Sequence, residues 1–224
     1  MTTTEPFSRT DVAPLRGRNL AIVHGGSYPH LQTMKDPAVL AYQPDFHYLA
    51  DLTDGDLDDY TTVIIGDRLH PGLVARHAAT FRAVAERGGT LVVLGENGVH
   101  TWLPGVAWEA RPTNFWWWLS GEDPLIRTRS HNHGAWAYLS TKSVIWHHHG
   151  LLRTDADVVP LVVSEEPDTD GHAHDAGMML YEDTTSTPGR LIVTTLDPMF
   201  HHGSNFMPGA TRFLYALLRW VDHT

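Results

Sequence analysis

The chain has 224 residues, of which 42% are apolar and 19% charged, the balance of an ordinary globular protein large enough for one sizeable core. Its formal charge of −10 argues against a nucleic-acid partner, and no apolar run is long enough to span a membrane. The absence of cysteine excludes disulfides, thiol catalysis and thiolate metal ligands, whereas histidine is abundant at 16 residues, as many as Lys and Arg together.

The opening "MTTTEPFSRTDVAPLRGR" is polar and lacks the apolar stretch of a secretion signal, so residues 1–18 read as a tail and the expected address is cytoplasmic. "NLAIVHGGS" then reads as a buried strand ending in a turn, and "TTVIIGDRLHP" repeats that design. In "LVARHAATFRAVAERGG", Leu73, Val74, Ala78, Phe81, Val84 and Ala85 fall at helical spacing, with Gly88-Gly89 where a C-terminal cap belongs. "TLVVLGENG" is a third buried strand. Strand, helix, strand with short joins makes a βαβ unit and predicts a parallel sheet.

Residues 99–150 are rich in aromatics and poor in periodicity, which predicts an irregular Trp-rich segment. "VVPLVVS" and "AGMMLYE" read as strands flanking the polar loop "EEPDTDGHAHD", and "GRLIVTTLD" as a further strand. "GATRFLYALLRWV" closes the pattern as an amphipathic helix whose apolar face is Phe213, Leu214, Leu217, Leu218 and Val221. With no repeat or linker, residues 19–224 are expected to form a single α/β domain around an open, doubly wound, mostly parallel sheet flanked by helices.

In such a sheet the carboxyl ends of the strands share one rim, and ligands bind there. Four strands end in polar turns: His24-Gly25-Gly26-Ser27, Gly66-Asp67-Arg68, Gly95-Glu96-Asn97-Gly98, and Asp197 followed by His201-His202. Turns attract Gly, Asp and Asn for purely structural reasons, but His, Arg and Glu are not turn formers, so a cleft is predicted. "VHGGS" lacks the spacing of a phosphate-binding loop, and no G-x-S-x-G elbow is present. Glu96 could serve as a general base, hold a substrate hydroxyl, or cap the following helix.

The stretch "SVIWHHHGLL" raises the question of metal. In extended chain His147 and His149 share a face while His148 points away. With His201 or His202 and a carboxylate they could form a His/carboxylate zinc site, although no H-E-x-x-H spacing is present. The competing role is hydrogen bonding and proton transfer, for which a neutral imidazole suits a polyol-like ligand. Five tryptophans lie in "HTWLPGVAWEARPTNFWWWLSG". They could stack on sugar rings, anchor the segment to the core, or make an oligomer contact, with Trp102 the candidate to line the cleft because it follows "GENG" closely.

"GRLIVTTLDPMFHHGSNFMPGATRFLYALLRWV" resembles the C-terminal end of ThuA-like domains: a Gly-Arg-led strand reaching Thr-Thr-Leu, a polar turn, then a helix ending in an apolar-Arg-Trp stretch. "RGGTLVVLGENG" and "AIVHGG" are similar to that family's elbow strand and first strand, and "SHNHGAWAYLSTKSVIWHHHGLLRTDADVVPLV" stands where the family carries H-P-[IL]-[TS] and then D-E-L-Y. The order covers nearly all of residues 19–222. The resemblance implies the class I glutamine amidotransferase-like, flavodoxin-like sandwich, and a link to trehalose and related sugars. The amidotransferase cysteine is missing, so glutamine hydrolysis is not expected. Trp146-His147-His148-His149 replaces the acidic segment, and Gly95 or Glu96 stands at the elbow histidine.

The expected function is therefore binding of a small, sugar-derived ligand in a His-rich cleft. Acid–base work would fall to His24, Glu96, His147, His149 and His201. Asp67 and Asp197 would orient imidazoles, while Gly25, Gly26, Arg68, Asn97, Trp102 and His202 would contact ligand. The alternatives are a hydrolase with zinc on His147, His149, His201 and His202, and a non-catalytic subunit or homo-oligomer using the Trp-rich segment. Membrane and nucleic acid are not expected partners.

Overall fold

The computed structural model describes residues 20–112 and 115–223; the tail expected at 1–18, with Asn19, lies outside the described residues. The first buried run forms β1 (Leu20–His24). Ser27 caps α1 (Tyr28–Thr33), whose second residue is Pro29, and Asp36 caps α2 (Pro37–Leu40), which begins with Pro37. β2 (Asp45–Tyr48) and β3 (Thr62–Ile65) follow.

The expected helix over 73–85 is divided at His77 into α3 (Pro71–Arg76) and α4 (Ala78–Glu86). The Gly-Gly signal caps α4 as read: Gly88 takes φ +95°, its N–H donates to Ala85 O, and Gly89 N–H donates to Val84 O. β4 (Thr90–Leu94) then completes the βαβ unit.

The segment expected to be irregular carries short elements: β5 (Val106–Ala110), α5 (Trp117–Ser120), β6 (Ile126–Thr128) and α6 (Thr141–Val144), the last opened by a Ser140/Ser143 capping box. β7 (Gly150–Thr154) leads to β8 (Val159–Pro167) and β9 (Ala173–Asp183), a hairpin whose strands reach into the expected polar loop. β10 (Arg190–Thr194), α7 (Pro198–Gly203) and α8 (Pro208–His223) end the described chain.

The sheet is mixed. β2, β1, β3, β4 and β10 lie side by side in parallel, and β9, β7 and β5 continue the sheet antiparallel, with β8 and β6 attached beside β9. Successive strand residues point to opposite faces, and both faces are covered. Leu20, Ile22, Ile64, Val92 and Ile192 pack with the Phe213, Leu214, Leu217, Leu218 and Val221 stripe of α8. Ala21, Val23, Val63, Ile65, Leu91 and Val193 pack with Phe81, Val84 and Ala85 of α4 on the other side. No helix among the described residues is long and apolar enough to cross a membrane.

Candidate functional site

The rim formed by the carboxyl ends of β3, β4 and β10 carries the polar cluster. Three residues past β10, Asp197 is 1% exposed, and the turn after β3 supplies Arg68. Arg68 Nε donates to Asp197 Oδ2 at 2.7 Å and Nη2 lies 2.6 Å from the same oxygen. The guanidinium stacks over Phe200, 3.9 Å from the ring centroid. Arg68 takes φ +50°, a left-handed conformation unusual outside glycine and concentrated at functional sites.

Around this ion pair stand three imidazoles. His201, on α7, places Nε2 3.2 Å from Asp197 Oδ2 and 2.8 Å from His147 Nε2. Arg68 Nη2 is 3.5 Å from His201 Nε2 and 3.5 Å from His149 Nε2. Since a guanidinium can only donate, His149 Nε2 is the acceptor of that contact. Its proton then sits on Nδ1, which faces Glu96 Oε1 at 3.5 Å. Burial, reinforced by the neighbouring His201, pushes His147 down to about 3, so it stays neutral over the working range. Burial alone would raise Asp197, but the His201 hydrogen bond and the His201 and Arg68 charges outweigh it and hold the carboxyl below its ordinary range.

The cluster has two layers. Asp197, His147 and His201 are buried, whereas the side chains of Arg68, His149 and Glu96 are 34%, 27% and 44% exposed and can meet a ligand. Asp197 Oδ1 and His201 Nδ1 are buried without a hydrogen-bond partner among the described residues. His147, His149 and Asp197 place one donor atom each within 4.8 Å of one another, a spacing that could hold a metal ion.

Asp67 supports the cluster from behind. It is fully buried, accepts Met199 N at 2.7 Å and Phe200 N at 3.1 Å, and so fixes the first turn of α7 that carries His201. Burial and the nearby Asp197 push its carboxyl up despite a hydrogen bond from His30. His30, absent from the residues expected at the site, accepts Gly25 N on Nδ1 at 3.1 Å and therefore donates from Nε2 to Asp67 Oδ1 at 3.1 Å. The capping residue Ser27 and Pro29 mark that helix start and would have placed His30 on its first turn.

Several expected site residues sit elsewhere. Asn97 is fully buried and spends its side chain on backbone, donating to Gly66 O and Leu94 O and accepting Leu69 N at 2.8 Å, so it staples two turns and does not face a ligand. Trp102 is buried against Phe81, with its indole N–H on Asn97 O, and does not line the cleft. His202 turns to Asp36 at 3.1 Å and Thr211 at 2.9 Å, away from the metal-capable donors. His24 accepts Gly26 N and faces Tyr48, and no contact joins it to the cluster among the described residues. Gly25 serves His30, and Gly26 takes φ +71° in the same turn. Among the described residues, the backbone N–H groups of both glycines go to His30 and His24 rather than to the cluster.

The aromatic wall combines Phe115 and Trp146 with Trp117 and Trp118, two of the five tryptophans of the Trp-rich segment. Phe115 packs on His147 at 4.7 Å and on His149 at 5.6 Å between ring centroids. A cleft of about 610 Å³ runs beside them, lined among others by Phe115, Trp117, Trp118, Trp146 and His147.

No protein-family model matches the chain, and no curated protein matches it. Among solved structures, a cytoplasmic protein from Salmonella typhimurium superposes over 91% of this chain and 98% of its own with a TM-score of 0.51 at 11% identity. A second cytoplasmic protein, from Salmonella typhimurium LT2, does so over 91% and 99% with a TM-score of 0.50 at 13% identity. At such identities the likeness is one of fold.

Proposed function

We propose that this protein binds a small polar, sugar-derived ligand at the carboxyl ends of β3, β4 and β10 and performs acid–base chemistry on it. Arg68 donates to a ligand oxygen. His149 acts as the base through Nε2 once Arg68 Nη2 turns from it to the ligand oxygen, with Glu96 facing its Nδ1–H and stabilising the imidazolium that forms when it takes a proton. Asp197, His201 and His147 are positioning residues that hold the guanidinium in place. The observation that carries this reading is the placement of Arg68 Nη2 between Asp197 and the Nε2 atoms of His149 and His201. The spatial order β2-β1-β3-β4-β10 has the form of the flavodoxin-like order 2-1-3-4-5, which supports the amidotransferase-like, ThuA-like reading of the fold. The sugar is carried by the resemblance to ThuA-like domains and by the aromatic wall, since ring C–H faces pack on such surfaces.

A thermal-shift screen against sugars, keto-sugars and sugar acids tests it, because a ligand that binds only the folded state raises Tm. Protection of the wild type by a sugar, lost in His149→Asn and Arg68→Ala, is expected. Equal protection of both variants would refute the assignment.

A second reading is favoured by the orphaned Asp197 Oδ1: a zinc-dependent hydrolase. His147 Nε2 lies 2.8 Å from His201 Nε2 and 3.9 Å from Asp197 Oδ1, and His201 Nε2 lies 3.2 Å from Asp197 Oδ2, around the roughly 3.4 Å between ligands of a tetrahedral zinc at about 2.1 Å, while His149 has a donor within 4.8 Å of donors on His147 and Asp197. His147, His149, His201 and Asp197 would hold the ion, which would supply an activated water, and Arg68 would have to leave their midst. The two readings make opposite predictions for Arg68→Ala. Zinc retention by untagged protein rises if the site is metallic, and stays near zero in wild type and variant if the guanidinium is its native cation.

A further inference from the structure

The cleft beside the cluster is charged against the sign of the molecule. The chain carries −10, yet the charged side chains on the cleft wall are Arg127, Lys142, Arg212 and Asp123. These are not equivalent. Arg127 is neutralised by Asp123 at 2.6 Å and Glu165 at 3.0 Å. Lys142, on α6, and Arg212, on the first turns of α8, have no carboxylate within ion-pair distance among the described residues. Both are exposed at the mouth, while Trp117, Trp118 and Trp146 form apolar walls and His147 closes the inner end. Two unpaired cations beside apolar walls make a local positive potential that the chain's overall charge does not predict. Such a mouth attracts anions and offers two charge-assisted donors to their oxygens.

We infer that the ligand of this cleft is an anion, a carboxylate- or phosphate-bearing compound whose charged group lies between Lys142 and Arg212 and whose ring stacks on the tryptophans. The aromatic walls accept the apolar faces of a ring, the cations accept its anionic end, and the inner end directs the remainder toward His147 and the cluster. This rests on the proposed function for the nature of the ring, but not for the charge.

The test separates the two. Inorganic phosphate is titrated against wild type and a Lys142→Ala/Arg212→Ala variant by thermal shift at low and at physiological salt. The expected result is protection of the wild type that the variant loses and that falls as salt rises. Equal protection of both proteins, or protection of neither, overturns the inference. Glucose, glucuronate and glucose 6-phosphate are then compared by calorimetry. Glucuronate or glucose 6-phosphate should bind at least about tenfold more tightly than glucose, with that advantage abolished in the variant, and the tighter of the two identifies the group. Glucose binding as tightly as both anions sinks the inference while leaving the sugar reading intact. Phosphate protection with none of the three sugars bound sinks the sugar reading and leaves the anion site standing.

Discussion

Lowering the pH from 8 to 5 should cost the folded protein about 2 kcal/mol through His147 alone. The imidazole is buried against Trp146 and Phe115 and faces His201, Asp197, His149 and Arg68. Burial and then the His201 charge hold it at about 3 in the folded state, against 6.5 for the free side chain, and the pull of Asp197 in the other direction does not compensate. The folded value is depressed, so the stabilisation is complete above 6.5 and drains away as the pH falls toward 3. At pH 5 the unfolded chain has taken up nearly all of its proton and the folded chain almost none, which makes the loss RT ln(1 + 10^1.5), about 2 kcal/mol. The folded value hardly enters as long as it lies well below 5. Urea unfolding followed by tryptophan fluorescence at pH 8, 7, 6 and 5, in wild type and His147→Asn, measures it. The wild type should lose about 2 kcal/mol more than the variant between pH 8 and 5. Titrating groups that do not interact with His147, including His148, which burial holds at about 4, cancel in that difference. Equal losses in the two proteins would show that His147 titrates alike folded and unfolded, and the neutral buried imidazole would be refuted.

Three further outcomes follow from contacts rather than titration. Asn97→Ala strands Gly66 O, Leu94 O and Leu69 N and should cost about 2–4 kcal/mol in urea unfolding, without changing ligand affinity under conditions where the variant is folded. Gly95→Ala places a Cβ 2.7 Å from Asp67 Cβ and 3.0 Å from Asp197 Cβ at φ +62°, so it should lower stability by at least about 1–3 kcal/mol and weaken ligand binding as well. His202→Ala removes the polar contacts to Asp36 and Thr211 and the edge-on packing against Tyr215, so a modest loss of about 1 kcal/mol with unchanged ligand and zinc binding is expected; a large loss of either binding would place His202 back in the site.

The strands, the α8 stripe and the glycine cap of α4 were legible because each is a local matter. Alternation, 3.6-residue spacing and a residue that tolerates positive φ leave their mark within a few positions. The rim itself followed from that, since parallel strands must end on one side, and Asp67, Arg68, Glu96 and Asp197 do come from its turns, with His201 on the helix that follows Asp197. Membership in the cluster did not follow. His24 lies at the end of β1, three strands from β10 in the order β1-β3-β4-β10, roughly 14 Å across the sheet, and strand order is absent from any single turn. Asn97 and Trp102 look like cleft residues beside Glu96, but unsatisfied backbone groups in two neighbouring turns claim the amide and the α4 face claims the indole. Trp117 and Trp118 line the same cleft as His147 although they lie about thirty residues from it along the chain, a meeting that no local pattern records. What the amino acids determined alone was which pieces exist and which face each buries. Which side chains meet was decided by the order of the strands and by competition for buried hydrogen bonds, both of which depend on residues far away along the chain.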